Sequence, residues 1–136
     1  MKMFKLLRRN QQGAAAIEFA IAVPVLVVFV YGIFQVGLLY EANAGMQHAL
    51  GEGARMASLY DKTTTSKVPS DTAIKAKMTA QLFGRNDGTF TVADPVQGAG
   101  FKTLTITYTR AMSFLFLPGP TVTLTRSKKV YTVVNN

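Results

Sequence analysis

The sequence predicts an α+β protein: a long amino-terminal helix that crosses a membrane, then a small domain of one helix and about three antiparallel strands. Three observations predict it. Residues 19–40 form an apolar run interrupted only by Pro24, Gly32, Gln35 and Gly37. Beyond that run, Ala42, Met46, Ala49, Gly53, Ala57 and Tyr60 recur at intervals of three and four, the spacing of one helical face. In the last third the period drops to two. Leu104, Ile106 and Tyr108 alternate there with Thr103, Thr105, Thr107 and Thr109, as on a half-buried strand.

Taken in order, the chain opens on a leader, residues 1–13, with Lys2, Lys5, Arg8 and Arg9 and no acid. Residues 14–60 read as one helix. Its apolar run of 22 residues spans about 33 Å at ~1.5 Å per residue, against a hydrocarbon core ~30 Å thick. The basic leader puts the amino end in the cytoplasm and everything from Glu41 onward outside the membrane. Tyr40 and Glu41 fit the aromatic belt and first charge of the outer interface. Pro24 removes a hydrogen bond and is expected to bend the helix near Ala20. A rival reading takes Ala42-Asn43-Ala44 before Gly45 as a signal-peptidase site, but a signal's apolar region is only ~7–15 residues. Gly45, Gly51 and Gly53 each weaken a helix by ~1 kcal/mol relative to Ala, and so imply close packing or a less regular stretch.

Residues 61–136 form the outer domain. A polar connector, 61–69, leads to Ser70 as a helix N-cap, with Asp71 favouring the positive helix end. Ile74, Met78 and Leu82 follow on one face, and Gly84 is the expected C-terminal stop. Strands are expected at 89–92, around 103–109 and at 121–134, with Pro118-Gly119-Pro120 turning the chain before the last. The second helix and the outer part of the first should cover one sheet face. The apolar stretch 112–117 either completes the small core or forms a sticky patch for another subunit or the membrane surface.

Composition excludes several functions. The chain has 136 residues, a net charge of +8 and no cysteine, so it offers no disulfide framework and no thiolate metal site. His48, the single histidine, has no ligand cluster around it in sequence. No phosphate loop, nucleophile elbow or paired catalytic acids occur, so no enzyme activity, cofactor, metal or small-molecule substrate is expected. Arg126, Lys128 and Lys129 on the last strand read as edge protection, and nucleic-acid binding would need more charge with interleaved aromatics.

The chemistry concentrates at Glu18. An unpaired carboxylate in a membrane helix costs about 3 kcal/mol on insertion scales. Glycine at 13 and alanines at 14–16 leave the backbone open to a protease. Cleavage between Gly13 and Ala14 would create an α-amine of pKa ~7.7–8.0, largely protonated at neutral pH. Glu18 is then the fifth residue and shares a helical face with that amine. It can pair with its own amine or with a neighbouring subunit's. The alternative is that Glu18 lies at the cytoplasmic interface beside Arg8 and Arg9.

Gly13-Ala14-Ala15-Ala16-Ile17-Glu18-Phe19-Ala20, followed by Val23-Pro24 and the apolar run, resembles the amino terminus of TadE-family pseudopilins of the tight-adherence (Flp-type) pilus systems. Glu52-Gly53-Ala54-Arg55-Met56-Ala57 is similar to the Glu-Gly-Ala-Arg-x-Ala segment common in that family. The resemblance covers residues 12–60. It implies processing by a prepilin peptidase after Gly13, with Ala14 as the new terminus, and assembly through Glu18 and Phe19. It implies a minor pilin or assembly component of the bacterial inner membrane, packed among other pilins through its small-residue stripe and served by an inner-membrane platform and a cytoplasmic ATPase. The related TadF proteins share this plan. Apart from the resemblance, the residues also fit a single-pass anchor presenting a binding or adaptor domain outside the membrane.

Overall fold

A computed structural model describes residues 11–59, 69–84, 87–115 and 117–132. The leader up to Asn10, Tyr60, most of the connector, residues 85–86, Phe116 and residues 133–136, which include the expected end of the last strand, lie outside the described residues. Helix α1, Gln11–Ala57, is continuous over 47 residues and runs through Pro24. Its start lies ahead of the expected Ala14.

Helix α2, Asp71–Ala80, begins as its sequence dictates. The Ser70 hydroxyl accepts from the Ala73 amide at 3.2 Å, and Asp71 occupies the first turn. Gln81, not Gly84, closes it: the Gln81 amide donates to the Met78 carbonyl at 3.1 Å and the Leu82 amide to the Thr79 carbonyl at 3.5 Å. Gly84 lies three residues further on at φ 75°, pressed against the backbone of Glu41 and Ala42 in α1. A side chain there would be strained by both the dihedral and the contact.

Four strands follow, where about three were expected: β1 Thr89–Val92, β2 Val96–Gly98, β3 Phe101–Phe114 and β4 Leu117–Tyr131. All pair antiparallel with β3. Because β4 occupies one edge of β3 along nearly its whole length, β1 and β2 follow one another along the other edge. Ala93 still donates to the Thr105 carbonyl at 3.1 Å, and the ladder then breaks at Asp94 and Pro95, which has no N–H to give. The sheet is therefore three strands wide.

The period-two pattern of β3 is realised. Leu104, Ile106 and Tyr108 are fully buried. The threonines face the other way and pair across to β4, Thr105 with Ser127 at 2.9 Å and Thr107 with Thr125 at 3.2 Å. The β3–β4 turn is not at Pro118-Gly119-Pro120, as expected. It falls earlier, at Leu115 with φ 52°, and the prolines lie inside β4. An edge strand tolerates them, since its outer side has no ladder bond to lose.

The core joins Ala42, Met46, Ala49, Leu50 and Ala57 of α1 to Ile74 and Met78 of α2 and to Leu104, Ile106 and Tyr108 of β3. The small-residue stripe of α1 thus faces this chain's own sheet and second helix. That corrects the expectation that the stripe packs among other pilin helices. Its glycines explain the closeness. A side chain at Gly45 would overlap the Phe83 backbone, and one at Gly53 would overlap Met78, whereas Gly51 faces open space. Lys102, 5 % exposed, reaches across from β3 to Asp71 at 2.6 Å and ties the sheet to the start of α2.

Candidate functional site

The residues singled out by sequence lie along α1 in two groups. Gly13 and Ala14 are in its first turns, exposed, with nothing within contact distance of a side chain at Gly13. Glu18 follows in the next turn, also exposed, and among the described residues it forms no hydrogen bond or ion pair. Phe19 beside it is 71 % exposed. In the uncut chain the Ala14 nitrogen is an amide inside the helix, so no amine is there for Glu18 to meet.

From Glu18 to Glu41, the two carboxylates that bracket the apolar run, the helix measures about 35 Å at ~1.5 Å per residue. Most side chains between them are exposed: Ile21, Val25, Leu26, Phe29, Val30, Ile33 and Phe34 are all more than half exposed. A surface this apolar needs a non-aqueous surrounding. α1 is the one helix among the described residues long and apolar enough to cross a membrane.

The second group, Glu52, Gly53, Ala54 and Arg55, stands about 50 Å further along the helix than Glu18 at the same rise per residue. The structure does not bring the two groups together. Gly53 is the contact point for Met78, and Ala54 packs partly against the core. Arg55 reaches back to Glu52 at 3.1 Å, and Lys77 of α2 approaches the same carboxylate at 3.8 Å. The Arg55 hydrogen bond holds the Glu52 carboxyl below its usual range, with Lys77 adding to the effect. The segment therefore docks α2 onto α1. Arg55 pairs with Glu52 on its own helix, not with the sheet.

Several functional contacts were not legible in sequence. Gln35, the lone amide of the apolar run, is buried and donates to the Ser113 carbonyl at 3.0 Å, pinning the β3–β4 hairpin against α1. Its position in the run was the only signal. Arg126 faces inward and donates from Nε to Asn43 at 2.8 Å, while Lys129 covers the Phe101 ring at 5.1 Å. Arg110 is buried beside Tyr108, whose phenol is pushed up by burial and held back by Arg110. His48 lies 3.4 Å from the Gln81 carbonyl and edges onto Phe83.

No curated protein and no solved structure matches the chain. Residues 13–55 match the family described as TadE-like protein. The match begins at the glycine of the first motif and ends at the arginine of the second, so it bears out the resemblance on the residues that carried it. The chain thus bears a TadE-like amino-terminal region, joined through its outer half to an α+β domain that extends beyond the match.

Proposed function

We propose that this protein is a minor pseudopilin, an assembly component of a tight-adherence pilus, held in the bacterial inner membrane by α1 with its amino end in the cytoplasm. A prepilin peptidase cuts it after Gly13. The new Ala14 amine then pairs with Glu18 of the same chain or of a neighbouring pilin, and lateral assembly through the inner part of α1 follows. The role is structural, not catalytic, and its partners are other pilins and the inner-membrane platform.

The observation that carries this reading is the TadE-like match over residues 13–55, which takes in both the cleavage motif and the exposed Glu18 carboxylate. The exposure of Glu18 and of the apolar helix beyond it supports the same reading, since among the described residues neither finds the partner it needs. The site also has a physical requirement. Proteases bind extended backbone, so the first turn, Gln11 to Gly13, has to open before the bond is reached. A glycine in that turn lowers the cost of opening by ~1 kcal/mol relative to Ala.

Mass spectrometry of protein extracted from its native membrane tests the processing. A mature amino terminus at Ala14 is expected; one at Met1 or Gly45 contradicts it. One observation favours a second reading, a single-pass anchor for a binding or adaptor domain: the small-residue stripe is consumed inside the chain and is not left for a neighbour. That reading expects function to survive replacement of residues 14–40 by an unrelated membrane helix, and the pseudopilin reading expects its loss.

A further inference from the structure

The β3–β4 hairpin reaches past the outer end of the membrane segment. Phe114 lies against Gly32, at 3.5 Å from where a side chain there would begin. Leu115 at the turn closes an apolar groove of about 500 Å³ with Leu26, Val27, Val30, Tyr31 and Phe34 of α1. All of these helix residues lie inside the apolar run. The helix residues that the tip touches give its depth. Along α1, Tyr31 is ten residues before Glu41, or about 15 Å.

We propose that the hairpin tip is a second membrane element, inserted into the outer leaflet beside α1, with lipid acyl chains as the occupant of its exposed apolar surface. A bilayer that accepts residues 19–40 as a transmembrane helix necessarily surrounds residues 26–34. Whatever is packed against those residues at the helix surface is then at the same depth. The tip is built for that depth. Leu115 is 46 % exposed and apolar. The Ser113 carbonyl, at the bulge where the β3–β4 register shifts, is taken by the buried Gln35 amide. Pro118 and Pro120 bring no N–H to the outer edge of β4. A strand edge in lipid is costly through its unsatisfied backbone groups, and these features reduce their number. Further from the tip, Arg126 of β4 bonds Asn43 of α1, two residues beyond Glu41, and marks the return to a polar layer.

The inference rests on α1 crossing a bilayer and is independent of processing or assembly. The chain has no cysteine, so single cysteines can be labelled cleanly in the full-length protein in phospholipid vesicles. Leu115→Cys and Pro118→Cys carry an environment-sensitive fluorophore at the tip, and two sites guard against one variant misfolding. Val25→Cys reports on α1 and Lys129→Cys on the far end of the sheet. Quenching by doxyl-labelled lipids is compared with quenching by aqueous iodide. The expected result is loss of emission at residues 115 and 118 with the lipid quencher, as at 25, and protection from iodide, with the reverse at 129. Tip labels that follow residue 129 while residue 25 stays lipid-quenched overturn the inference and leave the anchor standing. Iodide quenching at all four sites overturns both. Shielding of the tip from both quenchers, as a second subunit would give, also overturns it.

Discussion

The two halves of α1 are one continuous helix with opposite relations to the rest of the chain. From Glu18 to Tyr40 most side chains are exposed, and Gln35 is the only one fully buried. From Ala42 to Ala57 one whole stripe is buried, and α2 and the sheet are packed directly onto it. The inner half is rich in Val, Ile, Leu and Phe and needs an apolar solvent. The outer half is rich in Ala and Gly and lets other elements of the same chain come close. The contrast teaches that apolar character and small size, though both helical signals, answer to different partners. Large exposed apolar residues seek the membrane or other subunits, and small ones seek the chain's own domain.

The sharpest way to break this comparison is to cut side chains in each half. Met46→Ala, in the buried stripe, should lower domain stability by about 3 kcal/mol through lost burial and the cavity left behind. Phe29→Ala, 65 % exposed in the inner half, should leave domain unfolding unchanged. Denaturant unfolding followed by far-ultraviolet circular dichroism of the solubilised protein checks both, and equal losses would erase the distinction.

Next in size are the glycines. Gly53→Ala should destabilise by about 1–3 kcal/mol, because Met78 and Leu104 must give way. Gly51→Ala, two residues away but facing open space, should stabilise by up to about 1 kcal/mol through helix propensity alone. Opposite signs in the same unfolding experiment would show that the stripe, and not the helix as a whole, is under packing constraint.

Smaller effects come from titration. Burial raises the Tyr108 phenol above 10.0. The folded state therefore holds that proton more tightly than the unfolded one. The associated stability is fully present below the unfolded value and is lost as pH rises through the folded value. Ultraviolet titration of tyrosinate should show one late-titrating ring that disappears in Tyr108→Phe. Glu52 has the opposite sign. Its carboxyl is held low by Arg55, so its contribution is present above the ordinary carboxylate range and fades as pH falls. Being a surface pair, it should be small, and Glu52→Gln should barely move the unfolding midpoint at neutral pH.

What was legible in the sequence follows the same division. The alternation in β3 was clear because one sheet face is buried and the other carries threonines, so chemistry and geometry share a period. The cap at Ser70 was clear because it is local. The stripe from Ala42 to Ala57 was visible as a face, but periodicity tells only that a face is covered and never by what. β2 escaped because Val96, Gln97 and Gly98 carry no alternation; the strand exists only because β3 extends far enough to pair with it. The turn was misplaced because Pro-Gly-Pro is a local turn signal, while the long β3–β4 register that overrode it is a tertiary one. Gly13, Ala14 and Glu18 are exposed helix positions, and among the described residues Glu18 forms no hydrogen bond or ion pair.

The central claim is that the outer half of α1 supplies the domain's core, while the inner half touches the domain only at its edge, through Leu39 and the hairpin tip at Gly32 and Gln35. Cooperative thermal unfolding of two truncated chains tests it directly. Residues 41–136, which keep the outer half, should fold with a β-rich spectrum and a single cooperative transition. Residues 61–136, which lose Met46, Ala49, Leu50 and Ala57 from the core, should show no transition. A chain of residues 61–136 that folds and melts like the longer one would contradict the claim.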